Sequence, residues 1–225
     1  MIKKILNFKF VIPARTTVQS GRSNYNKGMT YVELIVVLSI FSILSAVTIF
    51  NYKQFQSKVD IKNLANEIAL KLVGAQKDAT FGKLAPLGQQ PSNPSTWKPS
   101  YGLYFDRTTP TLFYYFIDLD QNKQFVPPVA QTCPIGECLV DNPINITKGN
   151  YISEIKVFWI GGTPTPTVIN DDLQITFTRP NSGATFAQSS GVLISVDHVN
   201  ITISSPSGDV TSVISIYPSG RIELN

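Results

Sequence analysis

The sequence of 225 residues contains one histidine and two cysteines, and this scarcity excludes several kinds of chemistry. A structural zinc site takes four ligands, and Cys133, Cys138 and His198 fall short of that number. Ser195 and Asp197 lie close to His198 in the sequence, but neighbouring residues in a strand point to opposite faces, which argues against a hydrolytic triad. Neither a phosphate-binding P-loop nor a dinucleotide fingerprint is present. The composition therefore argues against an enzyme.

Proline is absent from residues 29 to 85, and residues 34 to 50 carry no charge. Because no proline interrupts this stretch, we predict one helix from about Thr30 to Thr80, ending near Gly82 and Pro86. At ~1.5 Å per residue it would be roughly 75 Å long, against about 30 Å for the hydrocarbon core of a bilayer. We expect its first half to lie in lipid and its second half to pack on a globular domain. That second half has apolar residues three and four apart, namely Ile61, Leu64, Ala65, Ile68, Leu72, Ala75 and Ala79.

Acidic residues are absent from the first 28 residues, which hold six basic ones. The formal charge of +4 therefore divides into +6 for this leader and −2 for the remainder, which has 13 basic and 15 acidic residues. The positive-inside rule places such a leader in the cytoplasm and the C-terminal bulk across the membrane. A conventional secretory signal is the alternative, but Lys9 interrupts its apolar stretch and no small-x-small cleavage signature follows.

Glu33 stands at the very start of the uncharged run, five residues after Gly28. A carboxylate at the centre of a bilayer costs roughly 2.5–3.5 kcal/mol, so Glu33 is a functional candidate. Gly28, Met29, Glu33 and the apolar run fall at fixed offsets that resemble the prepilin leader junction of type IV pilins and type II secretion pseudopilins. Met29 differs from the commonest residue of that family at its position, which is Phe. The alternative is an ordinary transmembrane anchor with an accidental glutamate.

This resemblance implies a specific processing reaction. A membrane prepilin peptidase would cut after Gly28 and methylate the new amine of Met29. Glycine suits the cut because its backbone can lie extended and close in another protein's cleft. After release from the bilayer, Glu33 would pair with the amine of Met29 in its own chain or in a neighbouring subunit.

The C-terminal part is predicted to be rich in β-strands. Residues 84 to 100 hold four prolines and indicate a loop. Strands are predicted at 101–106, 112–118, 151–159, 173–178, 192–204, 209–216 and 221–225, with a hairpin around residues 107–111. Segments such as YYFIDLDQNK and VISIYPSGRIEL resemble the globular domain of H-type minor pseudopilins and related minor pilins. The expected fold class is α+β, a long helix packed on an antiparallel β-rich domain as in the pilin fold.

We expect four segments along the chain. They are the leader at 1–28, the transmembrane or assembly half of the helix at 29–52, its amphipathic half at 53–83, and a β-rich domain outside the cytoplasm at 84–225.

Two patterns in the β-rich domain suggest further chemistry. Asp118, Asp120 and Asn122 have the D-x-D-x-N spacing that points alternate oxygens at one Ca²⁺ ion. A complete EF-hand loop would need glycine at position 123 and an acid at position 129, and a polar turn is the alternative. Cys133 and Cys138 are expected to form a disulfide, because the domain is predicted to lie outside the cytoplasm.

The resemblance thus implies a structural subunit, a minor pilin or pseudopilin, of a type IV pilus or type II secretion filament. It would be a single-pass protein of the cytoplasmic membrane before it enters a periplasmic or cell-surface filament. Its partners would be other pilin subunits, the prepilin peptidase, the assembly platform of the inner membrane and membrane lipid. A DNA-uptake minor pilin and a membrane-anchored adhesin are the alternatives. The charge of −2 without the leader argues against binding to nucleic acid.

Overall fold

The computed structural model describes residues 28–91, 93–128, 133–161 and 165–225. The predicted leader, apart from Gly28, lies outside the described residues, and so does Val129. The chain divides into two compact units, Met1–Val47 and Thr48–Asn225. Helix α1 spans Tyr31–Thr80, and a β-rich domain with antiparallel sheets follows it, so the α+β class is confirmed.

Both ends of α1 have capping residues that explain its limits. At its start, the backbone N–H of Glu33 donates to Thr30 Oγ1 at 3.2 Å, which makes Thr30 the N-cap. At its end, Gly82 has a φ of 71°, a left-handed conformation that favours glycine. The N–H of Gly82 donates to the carbonyl of Ala79, and the N–H of Lys83 to that of Asp78. These two bonds form a Schellman motif, so the helix ends where the sequence predicted.

Among its described residues, the β-rich domain has eleven strands in two antiparallel sheets. The strands are β1 Ser100–Asp106, β2 Leu112–Ile117, β3 Ile144–Asn145, β4 Tyr151–Trp159, β5 Thr167–Ile169, β6 Asp172–Thr178, β7 Ala184–Gln188, β8 Gly191–Leu193, β9 Val196–Ser204, β10 Thr211–Ile216 and β11 Ile222–Leu224. Sheet A has the order β3-β2-β1-β6-β7-β8, and sheet B has the order β11-β10-β9-β4-β5. The predicted hairpin is confirmed, because β1 pairs with β2 with Phe105 opposite Phe113.

One predicted strand is divided in the structure. The sequence predicts a single strand over residues 192–204, whereas β8 belongs to sheet A and β9 to sheet B. Ser195, between them, has a φ of 58°, which a continuous strand cannot accommodate. The chain therefore passes from one sheet to the other at this residue.

The main core lies between the second half of α1 and the two sheets. All seven residues of the predicted apolar stripe are buried, and Ile68, Leu72, Ala75 and Ala79 are fully so. They pack with side chains of both sheets in one cluster. Burying a large aliphatic side chain contributes about 1.5–3 kcal/mol, so the stripe anchors this half of the helix.

A second, aromatic core covers the other face of sheet A. Tyr104 and Tyr114 point away from α1 and pack with Phe116, Phe125 and Cys138. Phe125 stacks on Phe116 with ring centroids 4.8 Å apart. This core holds the segments after β2 against the sheet, and those segments contain the acidic residues described below.

Candidate functional site

The junction before α1 is open to solvent. Gly28 is exposed, and a Cβ built on it would meet no other atom within 4 Å. Met29 is 62% exposed. The Gly28–Met29 peptide, where the sequence predicts cleavage, is therefore accessible to another protein in this structure.

Glu33 occupies the third position of α1, three residues after the N-cap Thr30. This T-x-x-E arrangement is the sequence pattern of a capping box, which is one structural reason for a glutamate at this position. A carboxylate is also favoured near a helix N-terminus, because the unpaired N–H groups carry partial positive charge. Glu33 is exposed, so its carboxylate is also available to another group.

The apolar residues after Glu33 are exposed on every side of the helix. The most apolar 18-residue window of α1 has a mean hydropathy of 2.5 and is unburied, so the helix is long and apolar enough to span a membrane. Large exposed apolar surfaces mark contacts with lipid or with another protein. The exposed side chains include Leu34, Ile35, Val36, Val37, Leu38, Ile40, Phe41, Ile43, Val47 and Ile49.

A second candidate site lies at the end of β2. The side chain of Asp118 is fully buried, and its Oδ2 accepts from Lys123 Nζ at 3.0 Å and from Ser100 Oγ at 3.1 Å. Lys123 Nζ also donates to Thr178 Oγ1 at 2.7 Å. The other oxygen of Asp118, Oδ1, is buried and has no hydrogen-bond partner among the described residues. Burial raises the pKa of Asp118, while Lys123 opposes that shift.

Asn122 and Lys123 shape the turn that follows Asp118. The amide of Asn122 donates to Asp120 Oδ2 at 2.8 Å, and its oxygen accepts from the N–H of Gln124. In this structure, therefore, the side chain of Asn122 stabilises the turn through these two hydrogen bonds. Lys123 has a φ of 67°, although the sequence lacks the glycine that calcium loops usually have at that place.

Glu137, which the spacing pattern missed, completes the acidic group. One carboxylate oxygen of each of Asp118, Asp120 and Glu137 lies within 4.8 Å of the other two. Glu137 accepts a hydrogen bond from the N–H of Leu119 at 2.7 Å. Its pKa is raised from 4.5 to about 7, mainly by burial and further by the charges of Asp118 and Asp120.

The disulfide loop places Glu137 beside β2. Cys133 and Cys138 form a disulfide, with Cα atoms 5.5 Å apart. Cys138 makes a β-bridge to Phe116, and the N–H of Ile117 donates to the carbonyl of Glu137 at 3.0 Å. Gln89 donates to the carbonyl of Cys138 at 2.7 Å and ties the proline-rich loop to the same place.

His198 lies away from these two sites, in β9. Its ring stacks on Phe158 at 4.1 Å between centroids, and the ring of Tyr217, the residue after β10, lies 5.3 Å away. Contrary to the prediction that Asp197 and His198 point apart, His198 Nδ1 lies 2.7 Å from Asp197 Oδ2. The register is irregular here, because Phe158 pairs with His198 while the next residue, Trp159, pairs with Val196, and this bulge removes the strict alternation.

No protein-family model, curated protein or solved structure matches this chain. The functional argument therefore rests on the residues themselves.

Proposed function

We propose that this chain is a structural subunit of a type IV filament system, a minor pilin or type II secretion pseudopilin. The observation that carries the proposal is the position of Glu33. It is the one charged residue at the head of an exposed apolar helix, five residues after an accessible glycine. Helix capping alone accounts for a glutamate or glutamine at this position, but a simple membrane anchor does not need a glycine five residues before it.

In this proposal the leader is removed before assembly. The prepilin peptidase cuts after Gly28 and methylates the amine of Met29. The exposure of both residues supports this step, because a peptidase must enclose the extended backbone of its substrate. Removal of the leader also takes away six positive charges, so the mature subunit has a formal charge of −2.

Glu33 then directs assembly. In the bundle of helices that forms a filament, the Glu33 carboxylate and the Met29 amine leave water together. Such a pair tolerates burial only when both charges are present and well matched. Repeated head-to-tail contacts of this kind do not close on themselves, and they generate a helical fibre.

The location follows from the same features. The subunit begins as a single-pass protein of the cytoplasmic membrane with its β-rich domain outside the cytoplasm. That orientation agrees with the disulfide, because disulfides persist in oxidising compartments. Other pilin subunits and the assembly platform of the membrane are its partners.

The processing step is tested by changing Gly28 to leucine. In cells that contain a prepilin peptidase, the natural chain should begin at a methylated Met29, whereas Gly28→Leu should keep all 28 leader residues. N-terminal sequencing and intact mass measure both outcomes. Gly21→Leu, at another glycine of the leader, is the matched control and should still be processed. A Gly28→Leu chain that begins at Met29 would contradict the proposal.

A further inference from the structure

We propose that the β-rich domain binds one calcium ion through the carboxylates of Asp118, Asp120 and Glu137. Asp118 and Asp120 come from the turn after β2, and Glu137 comes from the disulfide loop. The site is independent of the filament function, because it uses no residue of α1.

The first support is charge. Three carboxylates lie together, and Lys123 is the cation that pairs with one of them. The group therefore carries a formal charge of −2, which one divalent cation neutralises. Like charges this close repel one another, and burial of Asp118 strengthens the repulsion.

The second support is an oxygen without a partner. Asp118 is fully buried, and within the part of the chain that the structure describes its Oδ1 makes no hydrogen bond, although Oδ2 accepts two. Buried polar atoms in proteins nearly always have a partner, and an unmet one costs about 1–3 kcal/mol. A cation bound by the Asp118 carboxylate would give Oδ1 a partner, and one oxygen of that carboxylate lies within 4.8 Å of oxygens of Asp120 and Glu137.

Calcium suits the donors better than other common metals. All three ligand side chains offer oxygen, and Ca²⁺ accepts six to eight oxygen ligands in flexible geometry. The nearby cysteines are joined in a disulfide, so they offer no thiolate to zinc. The ion would link the turn after β2 to the disulfide loop.

The test uses the full-length protein in detergent, with thermal unfolding followed in EGTA and in CaCl2. At a free calcium concentration ten times the Kd of the site, the folding equilibrium constant rises about 11-fold, and the Tm is expected to rise by roughly 3 °C. Titration calorimetry with CaCl2 should show one site per chain.

Two variants identify the ligands. Asp120→Asn and Glu137→Gln each remove one charge and should lose at least about tenfold in calcium affinity, together with most of the Tm shift. Asp209→Asn changes an exposed carboxylate by the same charge and should respond like the natural protein. No calcium-dependent shift in the natural protein, or a full shift in Glu137→Gln, would overturn the site. An equal response to MgCl2 would overturn the assignment to calcium.

Discussion

Changing Glu33 to glutamine separates the two roles that the structure and the proposal give to this residue. The capping-box pattern accepts glutamine as well as glutamate at its third position, so Glu33→Gln should cost the start of α1 only the attraction of a charge to the helix N-terminus, about 0.3–1 kcal/mol. It removes the negative charge and leaves the amine of Met29 without its partner. Membrane insertion should therefore be normal, while assembly into filaments should fail.

The size of the effect follows from the burial of an unpaired charge. Removing one partner of a buried ion pair costs about 3–5 kcal/mol. Since about 1.4 kcal/mol changes an equilibrium constant tenfold, subunit addition should weaken by roughly 10² to a few 10³-fold. The control is Thr30→Ala, which removes the Oγ1 acceptor of the 3.2 Å bond from Glu33 N–H but keeps the carboxylate. Loss of an N-cap costs about 1 kcal/mol, so the control should weaken addition only about fivefold.

The assay compares sheared filaments with the membrane fraction in cells that make the other subunits. Quantitative immunoblotting gives the fraction of each variant in the two pools. Natural protein and Thr30→Ala should reach the filaments, and Glu33→Gln should remain in the membrane. Charge pairing would be refuted if Glu33→Gln assembled as well as Thr30→Ala, or if both variants failed equally.

Two other predictions concern the β-rich domain and α1. Gly102→Ala should destabilise the protein by about 3 kcal/mol or more in chemical unfolding, because its methyl group would strike the Ile175 carbonyl and lie 2.9 Å from the Phe116 ring. The matched change Gly74→Ala meets no atom within 4 Å in α1 and should stabilise by about 0.5–1 kcal/mol; equal effects would contradict this packing. In EGTA, the raised pKa of Glu137 adds stability that is complete below pH 4.5 and is lost as the pH rises through about 7. The stability of Glu137→Gln relative to the natural protein should therefore increase across that range, and a constant difference would contradict the raised pKa.

The helix was predictable because its signals are local. Proline is absent from the helical segment, apolar residues recur three and four apart within it, and Gly82 stands two residues after its end. The structure begins α1 at Tyr31 and ends it at Thr80, as predicted. The alternation of apolar and polar residues in Leu173–Thr178 likewise predicted β6. The loop before Leu112 predicted the first hairpin, because the strand pattern and the turn residues agree there.

Features that depend on partners across a sheet were not predictable. The sequence from 192 to 204 has strand character throughout, yet its first residues belong to β8 of sheet A and its last to β9 of sheet B. The break falls at Ser195, a residue without a strong preference for positive φ, so no local signal marked it. The contact of Asp197 with His198 depends on a bulge in the pairing of β9 with β4, which is again a property of the pair of strands.

The same reasoning explains why the acidic group was only half predicted. A spacing pattern such as D-x-D-x-N compares residues within one turn, so it selected Asn122, which braces that turn. Glu137 is 17 residues from Asp120 and arrives through the β-bridge between Phe116 and Cys138. A signal was nevertheless present, because a five-residue disulfide separation confines the glutamate beside Cys138 to a small space. Once that loop pairs with the end of β2, the carboxylates of Asp118 and Glu137 must approach each other, and the cluster follows from the pairing.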